Sequence, residues 1–254
     1  MIGLGSAVLA WGVAQVAGAT APAPSPAQGP LRIHPTNPRY FTDGTVGPDG
    51  TPRAVYLAGS HVWHNVQDHG HRLESGANPP PVFDFAAHLD LLERSGHNFT
   101  RFWRWELPRW TERDTPSKLT EYTRQQPWLR TGPEMAGDGL PRFDLTRFDV
   151  DYFARLRTRV RAAGARGIYV AVMLFELWGV THVPTAWQSH PFAGGNNVNG
   201  IEADEDGDGA GRELHLLTGT PLGGRVRAAQ EAYVRRVLET LRDCDNVLYE
   251  IGNE

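Results

Sequence analysis

The sequence has only one cysteine, Cys244, among its 254 residues, so an intramolecular disulfide is excluded. No Gly-x-Gly-x-x-Gly follows any apolar run, so the sequence lacks the glycine motif that is typical of a dinucleotide-binding site. Basic residues are not in excess either: 25 Lys and Arg stand against 29 Asp and Glu, a net charge of -4. We therefore expect no nucleic-acid partner and no membrane contact beyond export.

The longest uncharged apolar run lies at the N-terminus. Residues 1–19 are rich in Ala, Val, Leu and Gly and end in Ala17-Gly18-Ala19, which is typical of a signal peptide although no Lys or Arg precedes the run. Residues 20–38 read as a Pro/Ala-rich linker, and residues 39–254 as a catalytic domain. We therefore expect a secreted or periplasmic protein of unknown oligomeric state.

From residue 39 onward, strand patterns alternate with helix patterns. A turn-rich stretch at 40–50 predicts a short hairpin. Apolar runs predict strands, and 3.6-residue spacing predicts helices. The predicted strands are 54–59, 98–105, 168–175 and 246–251, and the predicted helices are 83–95, 149–166 and 225–241. The connections 107–148 and 177–224 are expected to wall a cleft.

This alternation predicts a parallel α/β sheet. Polar and aromatic residues gather where the predicted strands end, and a (β/α)₈ TIM barrel builds its active site at that face. The expected fold class is therefore a TIM barrel, of which this chain supplies about the first four βα units as a truncated N-terminal half.

Two short motifs resemble one family of enzymes. Gly96-His97-Asn98-Phe99-Thr100-Arg101 is similar to the second strand, and Tyr249-Glu250-Ile251-Gly252-Asn253-Glu254 to the fourth strand, of clan A retaining glycoside hydrolases, the cellulase or family 5-like TIM barrels. The similarity of pattern runs from about Tyr40 to the last residue. It implies that Glu254 is the acid/base, that Asn253 contacts the sugar 2-hydroxyl, and that Arg101 supports the nucleophile.

The resemblance implies a secreted hydrolase of O-glycosyl bonds in a plant or microbial polysaccharide or oligosaccharide. Retaining hydrolysis needs two carboxyl groups roughly 5–5.5 Å apart. The family's nucleophile ends the seventh strand, so it is expected in the missing C-terminal half, and the fragment alone is expected to be inactive. No cofactor is required for this chemistry.

Aromatic side chains at the predicted strand ends indicate carbohydrate binding, because flat rings pack on the apolar faces of pyranose rings. Trp110, Trp128 and Trp187 lie in the long connections and are expected on the same face. The candidate substrate-binding residues are His61, Trp63, Trp103, Trp105, Glu176 and Trp178.

An acidic segment carries the first part of a calcium-loop pattern. Asp204, Asp206 and Asp208 occupy its first, third and fifth positions, and Gly209 its sixth. The twelfth position is His215 instead of Glu, so the full EF-hand pattern is absent. Structural calcium and a solvated acidic turn are both consistent with this segment.

Two other classes of protein fit the same residues. A metal-dependent TIM-barrel hydrolase would take ligands such as His61 and His64 from strand ends. A non-catalytic carbohydrate-binding barrel remnant would keep the cleft without a second carboxylate. A purely structural alternative makes Glu254 and Arg101 an ion pair at the strand ends.

Overall fold

The computed structural model describes residues 25–72, 80–111, 120–216 and 219–253. The predicted signal peptide, the first part of the predicted linker and Glu254 lie outside these residues. Within the described ranges, no helix is both long enough and apolar enough to cross a membrane.

The described residues form ten strands and four α-helices. The strands are β1 (Arg32–Ile33), β2 (Phe41–Thr42), β3 (Asp68–Arg72), β4 (Phe99–Phe102), β5 (Arg109–Thr111), β6 (Thr120–Arg124), β7 (Trp128–Met135), β8 (Pro141–Phe148), β9 (Tyr169–Glu176) and β10 (Val247–Asn253). The helices are α1 (Phe85–Arg94), α2 (Val150–Ala165), α3 (Trp178–His182) and α4 (Pro221–Leu241). Short 3₁₀ turns occur at Trp187–Ser189, Gly194–Asn196 and Arg212–His215.

The three strands β10, β9 and β4 form a parallel sheet, with β9 in the centre. Phe99 pairs with Tyr169, and Asn253 pairs with Glu176. A parallel bridge between Gly59 and Phe99 adds the preceding segment to the β4 edge. The carboxyl ends of the three strands therefore meet at one edge of the sheet.

Polar caps fix where the three longer helices begin. Asp84 accepts a hydrogen bond from the Ala87 N–H (2.9 Å), and Asp149 accepts one from the Asp151 N–H (2.9 Å). Thr220 caps α4 through the Gly223 N–H (2.9 Å). These caps satisfy N–H groups that have no partner within the helix.

One face of the parallel sheet packs against the helices. Val172 and Leu174 of β9 share the main core with Leu89 of α1 and Leu156 of α2, all of them buried. Met173, between the two β9 residues, joins a smaller cluster of tryptophans instead. This is the two-residue alternation of a strand, and it gives the sheet a helix face and a tryptophan face.

The remaining strands pair antiparallel. The central strand β6 lies between β3 and β5, β7 pairs with β8, and β1 pairs with β2. The turn between β7 and β8 closes through an Ala136 N–H to Leu140 carbonyl bond (2.7 Å), with Gly139 at a φ of 77°. Short connections of this kind bring successive strands side by side in opposite directions.

The predicted (β/α)₈ TIM barrel, with four βα units in this chain, is wrong. The described residues form a mixed α/β fold with several small antiparallel sheets and few helices, and the eight βα units of a TIM barrel are not seen among them. The predicted strand 54–59 contributes only isolated bridges, at Val55 and Gly59. The connection 107–148, expected as loop, folds into β5 to β8 because its strands pair with one another instead of with the parallel sheet.

The individual helix predictions 83–95, 149–166 and 225–241 are confirmed as α1, α2 and α4, within a few residues at each end. The predicted strands 98–105, 168–175 and 246–251 are confirmed as β4, β9 and β10, although β4 ends three residues early. The spacing of apolar residues therefore predicted the individual helices and strands. It did not predict how many strands join the parallel sheet, because that depends on pairing between distant segments.

Replacing Gly59 by alanine is expected to destabilise the protein by about 1–3 kcal/mol, because a side chain forced against packed backbone costs this much. A Cβ at residue 59 would lie 1.7 Å from the Phe99 carbonyl oxygen. Urea unfolding measures the free energy of unfolding. The control is Gly224→Ala in α4, where no atom lies within 4 Å of the added Cβ and a gain of about 0.5–1 kcal/mol is expected. Equal effects of the two substitutions would contradict the packing described for Gly59.

Candidate functional site

A cleft of about 530 Å³ lies at the carboxyl ends of β4, β9 and β10, against the antiparallel sheet β3–β6–β5. Eleven side chains line it, and most of them are aromatic. The lining tryptophans are Trp63, Trp103, Trp105, Trp110 and Trp178. The other lining residues are His61, His64, His69, Arg101, Glu121 and Asn253.

Two buried amide side chains hold the chain in place where it leaves β4. Asn65 donates to the Arg101 carbonyl (2.6 Å) and accepts from the Trp103 N–H (2.9 Å). Gln67 repeats the arrangement with the Trp105 carbonyl (3.0 Å) and N–H (2.7 Å). These side chains replace the backbone partners that a neighbouring strand would supply. The rings of Trp103 and Trp105 are thereby fixed at the cleft.

Arg101 connects β4 to β10 across the end of the sheet. Its guanidinium pairs with both carboxylate oxygens of Glu250, and Nη2 also donates to Asn253 Oδ1 (3.0 Å). The same group lies 4.6 Å from the centre of the Trp103 ring. Arg101 and Glu250 therefore neutralise each other at one end of the cleft, and Asn253 is oriented by the pair.

The tryptophans differ in how much ring surface they offer to a ligand. Trp63 is 62% exposed and Trp178 is half-buried, whereas Trp103, Trp105 and Trp110 are each 6% exposed or less. The exposed pair adjoins the buried set: Trp63 lies 6.3 Å from Trp103, and Trp178 lies 6.1 Å from Trp105. Trp63 and Trp178 are thus the surfaces on which a ligand can stack, and the other three form the floor.

Three histidines add polar atoms to this aromatic surface. The His61 ring stacks on Trp103, and its pKa is lowered because burial disfavours the imidazolium and the Arg101 charge repels it. Burial also lowers the pKa of His64, which stacks on His69. His69 Nε2 lies 3.0 Å from Glu121 Oε2, on the antiparallel sheet. The neutral rings of His61 and His64 can each donate and accept a hydrogen bond, as sugar hydroxyls require.

Glu176 does not line the cleft, although it ends β9. Its side chain is completely buried, and it accepts hydrogen bonds from the Gly179 N–H at 2.9 and 3.2 Å. Glu106, 1% exposed, lies beside it and pairs with Arg104 (2.9 Å). Glu176, Glu106 and Arg104 therefore form a polar layer beneath the cleft floor and are not part of its wall.

The structure brings most of the predicted site residues together. Seven of them line the one cleft: Arg101, Asn253, His61, Trp63, Trp103, Trp105 and Trp178. Glu176 lies below the cleft, and Glu254 is outside the described residues. Trp128 and Trp187, expected on the same face, are instead packed in the main core.

Sequence reasoning assigned no role to Glu121, Glu250 or the two amides Asn65 and Gln67. Glu250 carried a signal, since it occupies the fourth-strand motif three residues before Asn253. Glu121 and the amides had no such signal, because their partners lie 36 or more residues away in the chain.

The carboxylates that come together in the predicted calcium loop differ from the predicted set. Asp204, Asp206 and Glu213 each place an oxygen within 4.8 Å of the others, and this is the only group of three potential metal ligands in the described part of the chain. Asp208 instead pairs with Arg212 (2.8 Å). Oxygen ligands of this kind suit Ca²⁺, so structural calcium stays a prediction, with Glu213 in the place of Asp208.

Comparison with known proteins gives a family without an assigned activity. Residues 118–254, more than half of the chain, match a family described as "Domain of unknown function (DUF6298)". The matched part includes Glu121, Trp178, Glu250 and Asn253. No curated protein sequence matches the chain.

A similar solved structure is described as a "putative glycoside hydrolase" from Bacteroides vulgatus ATCC 8482. The two chains are 17% identical, with a TM-score of 0.48. The match covers 89% of this chain and 32% of the other, so this chain spans about a third of that protein's length. At this level of similarity, the neighbour's activity does not transfer to this chain.

Replacing Asn65 by alanine is expected to lower the free energy of unfolding by about 2–5 kcal/mol, because two buried backbone groups each lose a partner. Those groups are the Arg101 carbonyl and the Trp103 N–H. Chemical denaturation measures the loss. Gln28→Ala is the control, since its exposed amide bonds only to Pro26 two residues away. A loss no larger than that of the control would contradict the role given to Asn65.

Calcium is expected to raise the melting temperature by about 5 °C or more at roughly 100 times its Kd, because it binds the folded state alone. Asp204→Asn and Glu213→Gln should abolish the shift. Asp208→Asn should retain it, because Asp208 pairs with Arg212. Differential scanning calorimetry with calcium, and with magnesium for comparison, makes the measurement. An unchanged melting temperature would leave the segment as a solvated acidic turn.

Proposed function

Because the chain belongs to the DUF6298 family and has a tryptophan-lined cleft ending in Arg101, Glu250 and Asn253, we propose that it is the carbohydrate-binding and catalytic part of a glycoside hydrolase. The cleft carries this proposal. Exposed indole faces beside neutral imidazoles and a fixed amide suit a ligand with flat apolar faces and many hydroxyl groups. The proposed substrate is a polysaccharide or oligosaccharide.

The cleft has no unpaired cation among its described lining residues. Arg101 is held by Glu250, and burial and neighbouring charges keep His61 and His64 neutral near pH 7. Stacking and hydroxyl hydrogen bonds would therefore supply most of the affinity, with Trp63 and Trp178 as the two platforms.

The finer mechanism proposed is retaining hydrolysis. Asn253 Oδ1 is engaged by Arg101, which leaves its amide N–H groups to donate to a sugar hydroxyl. Glu254, the next residue in the sequence, is proposed as the general acid/base. The partner carboxylate is proposed to come from outside this chain, because Glu250 is paired with Arg101 and Glu121 with His69. An oxocarbenium-like transition state would be stabilised between the two carboxylates.

We also propose that the first 19 residues direct export of the protein, because polysaccharide substrates are found outside the cell. A metal-dependent mechanism is not included, because His61 and His64 join no cluster of three potential ligands in the part of the chain that the structure describes. Loss of activity on addition of a chelator would favour the metal-dependent mechanism after all.

The remaining alternative is a protein that binds carbohydrate without catalysis. Sugar binding without hydrolysis, in this chain and in any longer protein that contains it, would favour that alternative.

Titration calorimetry of the 254-residue chain with cellohexaose, xylohexaose and mannohexaose is expected to detect binding of at least one of them. Trp63→Ala and Trp178→Ala should each weaken that binding by about tenfold, or ~1.4 kcal/mol, through loss of a stacking surface. Tyr56→Ala is the control, because Tyr56 is 71% exposed and is not a cleft residue. Unchanged affinity in both tryptophan variants, or no binding of any glycan in a wider panel, would contradict the proposal.

A further inference from the structure

We propose that Glu176 is a positioning residue for the stacking ring of Trp178, and that its protonation state sets the affinity of the cleft. This inference takes its ligand from the proposed function, but the conformational part can be tested without any ligand. Glu176 has the position for this role because it lies under the first turn of α3, which carries Trp178.

The contact between Glu176 and α3 is close and direct. The backbone N–H groups of Trp178 and Gly179 both face the carboxyl group. A Cβ at residue 179 would lie 2.7 Å from Glu176 Oε2 and 2.5 Å from Leu107 Cδ1. The carboxyl group is therefore packed directly against this turn, and a side chain at residue 179 would have to displace it.

Glu106 holds Glu176 from the other side. One of its oxygens accepts the Glu176 backbone N–H (3.0 Å), and the other accepts from Arg104 (2.9 Å). His215 Nε2 lies 3.3 Å from the first of these oxygens. Glu106 is therefore the carboxylate that has compensating positive charge, whereas Glu176 has only backbone N–H partners.

The two buried carboxyl groups consequently titrate very differently. Burial alone would raise the pKa of Glu106, but Arg104 and His215 outweigh it and hold that pKa well below its usual range. Burial raises the pKa of Glu176 to about 8, the Gly179 N–H opposes the rise, and the Glu106 charge adds to it. Glu176 is thus protonated at neutral pH, and the stability this gives the fold is lost as pH rises through about 8.

Two further histidines face this site: His182 stacks on the Trp178 ring, and His215 lies beside Glu106, so the Glu176→Gln variant is needed to separate their effect from that of Glu176. Burial lowers the pKa of His190 to about 3, so it is neutral throughout the range of interest. Burial raises the pKa of Tyr152 and Tyr233, which lie beside Arg104 on α2 and α4. Ionisation of Glu176 therefore places a second negative charge beside Glu106, and repulsion between the two would displace the turn that carries Trp178.

The test is ¹⁹F NMR of the full chain labelled with 5-fluorotryptophan, between pH 6 and 10. Trp178→Phe assigns the Trp178 resonance, and the exposed Trp63, assigned through Trp63→Phe, serves as the internal reference. The Trp178 resonance is expected to shift with a midpoint near pH 8 in the wild type, and this transition is expected to be absent in Glu176→Gln. A flat Trp178 resonance in the wild type, or the same midpoint in Glu176→Gln, would overturn the proposal.

If Glu176→Gln does not fold, ¹³C labelling of glutamate side chains measures the Glu176 titration directly in the wild type, and a midpoint below pH 6 overturns the proposal. For the glycan that binds in calorimetry, affinity should fall about tenfold between pH 7 and 9, as the protonated fraction falls. Glu176→Gln should abolish this dependence. Absence of glycan binding would refute the proposed function and leave the NMR result to decide the role of Glu176.

Discussion

The cleft depends on a buried ion pair between Arg104 and Glu106, each 1% exposed. Arg104 also donates to the Leu174 carbonyl of β9 (2.8 Å), and its guanidinium lies 4.4 Å from the centre of the Tyr233 ring on α4. Two buried charges are costly to desolvate, and removing either one would leave the other buried and uncompensated. The pair therefore fixes the segment after β4 against β9 and α4, and with it the tryptophans on either side.

The order Trp103-Arg104-Trp105-Glu106 explains how one segment serves both layers. Side chains alternate along an extended chain, so the two tryptophans face the cleft while the charged pair faces the protein interior. The same rule applies to β9, where Met173 faces the tryptophans and Val172 and Leu174 face the helices. Glu176 follows Leu174 by two residues, and this explains why it is buried although it stands at a strand end.

The sequence was sufficient to predict elements whose signals are local. Apolar residues at 3.6-residue spacing predicted α1, α2 and α4, apolar runs predicted three parallel strands, and polar strand ends predicted most of the cleft. The antiparallel strands β5 to β8 and the supporting amides Asn65 and Gln67 could not be predicted in this way. The amides bind partners 36 or more residues away, and neither short polar strands nor single amides show which partner they will have.

The cleft tryptophans form a continuous set of rings, with neighbouring centroids 4.8–6.3 Å apart from Trp63 through Trp103 and Trp105 to Trp110 and Trp178. Excitation absorbed by one indole at such separations passes readily to the next. A molecule that quenches only the exposed ring of Trp63 would therefore also lower the emission of the buried rings, because their excitation can pass to it.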